Sequence, residues 1–82
     1  LVKTFIGHNN TVRSVTTTPN GQNIISGSYD NTVKLWHINT GKLVRTFKGH
    51  KGSVYSVTTT PNGKYIVSGS YDNTVKLWHI NT

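Results

Sequence analysis

The 82-residue chain has no cysteine and no methionine, only two prolines, and only two acidic side chains, Asp30 and Asp72. Each absence narrows the field. Without cysteine there is neither a disulfide framework nor a thiolate metal site, and the redox compartment is left open. With no spare carboxylate pair, general acid–base chemistry has little to work with. Neither a Gly-x-Ser-x-Gly elbow nor a phosphate-cradling Gly-Lys-Ser/Thr loop occurs. Single histidines such as His37 and His79, 42 residues apart without carboxylate or thiolate company, make a poor metal site. No apolar run is long enough to cross a bilayer and no signal peptide opens the sequence. The expectation is a non-enzymatic, cytoplasmic protein without cofactor, metal or membrane contact. The missing initiator methionine suggests a piece excised from, or designed upon, a longer parent.

The chain does hold two copies of one unit. The stretch SGSYDNTVKLWHINT stands at residues 26–40 and again at 68–82, and an offset of 42 aligns residues 1–40 with 43–82 at 31 identical positions of 40. Such a period is the signature of a repeat architecture, and it divides the chain into units 1–42 and 43–82. Each unit alternates β-branched and aromatic residues with turn clusters, and no helical periodicity is present. The pattern predicts strands near residues 1–6, 12–18, 23–28, 32–38, 43–48, 54–60, 65–70 and 74–80. Pro19-Asn20-Gly21 and Pro61-Asn62-Gly63 supply a fixed φ followed by positions tolerant of φ > 0. Val12 and Val15, like Val54 and Val57, are three apart, so a β-bulge is needed to bring both onto one face.

Each unit therefore runs Gly-His, Val-x-x-Val, Pro-Asn-Gly, Ser-Gly-Ser-x-Asp and a strand ending in Trp. This order and spacing resembles the WD40 repeat along the whole chain, although Trp36-His37 and Trp78-His79 stand where the family usually has Trp-Asp. The resemblance implies an all-β fold of β-propeller blades, two per chain, each a four-stranded antiparallel sheet. It also implies a structural hydrogen-bond network in each blade, carried by His8, Ser26, Asp30 and Trp36 and by His50, Ser68, Asp72 and Trp78. A buried carboxylate needs such partners.

The family's strand order a, b, c, d makes LVKTFI a strand d of a preceding blade, and the chain then runs a-b-c-d-a-b-c. The hairpin Asn39-Thr40-Gly41-Lys42 links c to d, and Asn81-Thr82 opens its counterpart. Two blades cannot close a ring, so the expectation is homo-oligomerisation by strand exchange, with residues 1–6 completing a neighbour's second blade. Four chains with eight blades are favoured over three chains with six.

As partners the resemblance implies peptides or proteins gripped at the channel entrance, by Thr11, Arg13 and Tyr29 and by Ser53, Tyr55 and Tyr71. Tyr and Arg are enriched at binding hot spots. The net charge of +7 supports the alternative of a nucleic acid or other polyanion, drawn electrostatically and stacked on the rim tyrosines. The lysines, however, fall on several strands and turns.

Overall fold

A computed structural model describes residues 1–80. Seven strands form: β1 (Val12–Thr17), β2 (Asn23–Ser28), β3 (Thr32–His37), β4 (Leu43–Lys48), β5 (Val54–Thr59), β6 (Tyr65–Ser70) and β7 (Val75–His79). They make two antiparallel sheets, a four-stranded one in the order β1-β2-β3-β4 and a three-stranded one in the order β5-β6-β7. The turns are set by the residues anticipated for them. Gly21 donates its amide to Thr18 O at 2.9 Å around Pro19, and Gly63 does the same to Thr60 O at 2.9 Å around Pro61. Between β2 and β3 the tight turn is made by Asn31 at φ 74°, matched by Asn73 at φ 69°; Asn tolerates this region because its short side chain bonds locally. The bulges fall between Val12 and Ser14 and between Val54 and Ser56, and they place both valines of each pair on one face.

The core lies between the two sheets. Ile25, Val33, Leu35 and Phe47 of the first sheet pack with Val54, Val57 and Ile66 of the second, and Trp78 and Ile80 close the layer. Close approach is possible because Gly27 faces the valines: a Cβ there would stand 2.7 Å from Val54 Cγ1 and 2.9 Å from Val57 Cγ1. Along β1 and β5, the edge strands that meet between the sheets, the seam is also hydrogen-bonded. Val57 N donates to Ser14 Oγ at 3.3 Å, and Thr59 Oγ1 donates to Thr17 O at 3.4 Å.

The repeated strings sit in different surroundings. Val33 and Leu35 are 0% and 3% exposed, whereas their counterparts Val75 and Leu77 are 75% and 62% exposed. Both β4 and the second sheet cover β3, and nothing in the described residues does the same for β7. Burial of a Val or Leu side chain is worth roughly 1.5–3 kcal/mol, so the bare face is a substantial apolar liability.

One expected strand does not form. Residues 1–6 pair with no other strand, since the edge that would receive them is not beside them. They are held instead by Phe5, whose ring meets Trp36 edge-on at 5.8 Å between centroids, and by Lys3, which donates to Asn39 O at 2.7 Å. The hairpin joining β3 to β4 forms as expected, with His37 N donating to Lys42 O at 2.9 Å; its counterpart at Asn81-Thr82 lies outside the described residues.

Gly27→Ala should destabilise the fold by about 1–3 kcal/mol, because the added methyl overpacks the valines of the facing sheet. Urea denaturation of the variant checks this, and an unchanged midpoint would remove Gly27 from the interface.

Candidate functional site

Each sheet carries a buried polar chain that ties the loop before its first strand to its second and third strands. In the first, Trp36 Nε1 donates to Ser26 Oγ at 2.9 Å, Ser26 Oγ lies 2.6 Å from His8 Nε2, and His8 Nδ1 lies 2.8 Å from Asp30 Oδ2. In the second, the same steps from Trp78 through Ser68 and His50 to Asp72 measure 2.7, 2.7 and 2.9 Å. The direction of the chain follows from its donor end. Ser26 Oγ accepts the indole proton and gives its own to Nε2, which leaves Nδ1 protonated and donating to the carboxylate. Among the described residues no buried side-chain nitrogen or oxygen lacks a partner.

The carboxylates accept further donors that the sequence did not single out. Asp30 Oδ2 also takes the Asn9 amide at 3.0 Å, and Oδ1 takes the Thr32 amide at 3.0 Å together with the Thr32 hydroxyl. Asp72 is bound in the same way by the Lys51 amide and by the amide and hydroxyl of Thr74. The Asp-x-Thr spacing in both units was the available signal, because a carboxylate commonly accepts from the backbone two residues on. Burial alone would raise the pKa of Asp30, but the Thr32 hydroxyl, His8 and the two amides outweigh it and bring it from 3.8 down to about 2. The Thr74 hydroxyl leads the same set at Asp72 and holds it well below the usual carboxylate range.

The glycine of each Gly-His pair has a steric reason. A Cβ on Gly7 would lie 2.9 Å from Trp36 Cη2, and one on Gly49 would lie 2.9 Å from Trp78 Cη2. The indoles therefore have backbone on one side and an aromatic ring on another, Phe5 for Trp36 and Phe47, at 5.5 Å, for Trp78.

At the rim the structure brings together four of the six residues singled out there. Tyr71 stands 6.4 Å from Tyr29 and 4.9 Å from Tyr55 between ring centroids, and Ser53 Oγ donates to Tyr29 O at 3.4 Å. The result is an aromatic patch spanning the junction of the sheets, with Tyr55 and Tyr71 exposed. Thr11 and Arg13 are exposed on the first sheet, and neither joins the ring contacts. Thr11 O instead accepts the Tyr29 amide and the Ser28 hydroxyl, both at 2.9 Å. Among the described residues no three His, Asp or Glu side chains converge as metal ligands, and no helix is long and apolar enough to cross a membrane. His37 lies 3.4 Å from Thr40 Oγ1, and His79 packs edge-on against Tyr65.

The polar chains set two expectations. A carboxylate whose folded pKa lies below its unfolded value stabilises the fold above the unfolded pKa, and loses that contribution as pH falls through the folded one. Thermal melts should therefore decline as pH falls from about 4 toward 2, where Asp30 takes up its proton, with Asp72 contributing in the same direction; Asp30→Asn with Asp72→Asn should flatten the profile. Ser26→Ala leaves the indole N–H buried without an acceptor and should cost about 1–3 kcal/mol by urea denaturation.

Comparison with known proteins places the two units in one family. The family model described as WD domain, G-beta repeat matches residues 1–37 and 41–79. Ribosome biogenesis protein BOP1 homologs of Drosophila grimshawi and Drosophila ananassae are each 50% identical to this chain over 40 residues, and that of Drosophila melanogaster is 48% identical over 40 residues. Each match covers 49% of this chain and 5% of the relative.

Proposed function

Starting from a chain that belongs to the WD40 family, we propose that it is a non-enzymatic protein-interaction module whose first partner is a second copy of itself. Docking is head to tail, so that the two bare faces become a repeat of the interface already buried inside the chain. The single observation that carries this reading is the complementarity of those faces. On one side Val12 and Val15, counterparts of the buried Val54 and Val57, are 47% and 64% exposed. On the other side Gly69, counterpart of Gly27, meets only the Tyr55 ring, 3.6 Å away. The polar seam has side-chain counterparts too: Ser56 for Ser14 and Thr11 for Ser53.

The segment that forms no strand fits this scheme. Phe5 and Gly7 stand on Trp36 much as Phe47 and Gly49 stand on Trp78, which supports reading residues 1–6 as the outer strand of a preceding blade. Transferring the β3–β4 register by 42 residues puts Phe5 of one copy opposite Val75 of the next, and Thr4 opposite Lys76. The edge of β7 would thereby gain its missing neighbour. Closure of the head-to-tail contact yields a ring, and we favour four chains with eight blades over three chains with six. Seven blades do not arise from identical two-blade chains.

On such a ring the Tyr29–Tyr71–Tyr55 patch offers a peptide or protein partner a rigid aromatic surface. The basic side chains favour a protein over an extended polyanion, because they are spread over different elements and some are already engaged. Arg45 lies over the Phe47 ring at 4.6 Å, and Lys3 is bound to Asn39. The role in ribosome biogenesis that names the BOP1 homologs belongs to proteins of which this chain spans about a twentieth, and the shared stretch is one repeat.

Light scattering over a range of concentrations should give one closed species at four times the 9.1 kDa chain mass, or three times for the runner-up. A folded monomer or an open ladder of sizes would overturn the proposal. Gly69→Ala sharpens the test. Within one copy the added methyl makes only ordinary contact, but between copies it meets the neighbour's Val12 and Val15. Assembly should weaken by at least about tenfold, the loss of affinity that 1.4 kcal/mol gives, while the circular dichroism of the chain is kept. Unimpaired assembly of this variant would sink the interface.

A further inference from the structure

One charge is used neither by the polar chains nor by the interface. Lys34 is 8% exposed, and its ammonium makes one hydrogen bond, donated to Thr46 Oγ1 at 2.9 Å, although an ammonium carries three donors. No carboxylate among the described residues stands within ion-pairing distance of it, since the only ion pairs there join His8 to Asp30 and His50 to Asp72. A buried cation without a counter-ion is costly, and it is most readily kept where an anion can reach it.

Such a place is present. Lys34 and Thr46 line an open cavity of about 510 Å³ together with Lys48, Asn31 and Asn9. The register places the two lysines on one face. Lys34 stands opposite Thr46 and Lys48 opposite Thr32, which makes Lys34 and Lys48 diagonal neighbours on adjacent strands, within reach of each other's long side chains. Asp30 also borders the cavity, but both its oxygens are engaged by His8, Asn9 and Thr32. That leaves two lysines, Thr46 and two asparagines among the residues that line the space.

We propose that this cavity binds a phosphate group, with Lys34 as the buried anchor and Lys48 as the outer clamp. Charge-assisted bonds from two ammonium groups suit a compact dianion better than a single carboxylate. The phosphate is either the free ion or a phosphorylated side chain, which present the same oxygens. The repeat itself supplies a control: the counterparts of Lys34 and Thr46 are Lys76 and Thr4, but the counterpart of Lys48 is Ile6. A site built by the second unit would therefore lack its clamp, and one site per chain is expected. Nothing in this assignment requires the copies to assemble.

The test is an amide-NMR titration of the full chain in chloride buffer with inorganic phosphate and, separately, with a short phosphoserine peptide. Expected are saturable shifts confined to Asn31, Thr46, Lys48 and their neighbours. Lys48→Ile, a residue the other unit already uses, should weaken binding by about tenfold, in keeping with one lost hydrogen bond to a charged group, and leave the melting temperature in place. Lys34→Met should abolish binding. Tighter binding of the phosphopeptide than of its unphosphorylated form and of inorganic phosphate assigns the site to a modified partner; equal binding of peptide and free ion assigns it to the ion. Shifts spread over all the basic residues, or a Lys48→Ile variant that binds as well as the parent, would overturn the proposal.

Discussion

A β-sheet of three or four strands cannot bury either of its faces by itself, and its apolar side chains need a second layer about 10 Å away. In this chain that layer is another sheet of nearly the same sequence. Gly27 under Val54 and Val57 is where the requirement is met most tightly, and the rest of the architecture can be traced from there. The bulge in β5 lets Val54 and Val57, three residues apart, both reach the facing sheet, and β1 repeats it with Val12 and Val15 exposed. The edge strands β1 and β5 share hydrogen bonds across the seam because the sheets come close enough for Ser14 and Thr59 to do so.

The polar chains do a different job. Packing between sheets fixes how one unit meets the next, whereas the Trp–Ser–His–Asp chains fix each unit internally, joining a loop to two strands. The histidine before β1 and the aspartate of the β2–β3 turn are 22 residues apart in the sequence and hydrogen-bonded at 2.8 Å in the first unit. Their connection makes the loop that enters each sheet part of the rigid body. That rigidity also positions the rim tyrosines, since Tyr29 and Tyr71 immediately precede the anchored aspartates.

Much of this was legible in the sequence, for identifiable reasons. The turns were readable because Pro, Asn and Gly impose local backbone geometry whatever surrounds them. The bulges were readable because the spacing of the valines conflicts with strict alternation. The burial of β3 against the exposure of β7 was not readable, as the two strands are spelled identically and only their neighbours differ. The same limit applies to residues 1–6, whose strand-like composition is shared with β4 but whose pairing edge is elsewhere. Lys34 was read as one of several dispersed surface charges; that it is buried depends on Thr46 across the sheet. Thr32 and Thr74 went unnoticed because a threonine in a strand needs no explanation until a carboxylate is found beside it.

The seam inside the chain has two halves, a glycine on the first unit and valines on the second, and the sequence of each unit spells both. On the head-to-tail reading proposed above, a gene encoding such a unit can be lengthened by copying, since each added copy brings a surface that repeats the one observed seam. The same economy constrains divergence. A substitution at a valine or glycine of the seam is felt at the junction on one side of the unit only, so neighbouring units must change in pairs to drift. Loop positions outside the seam are free to vary alone, and positions 9–13 against 51–55 are where four of the nine differences between the copies lie.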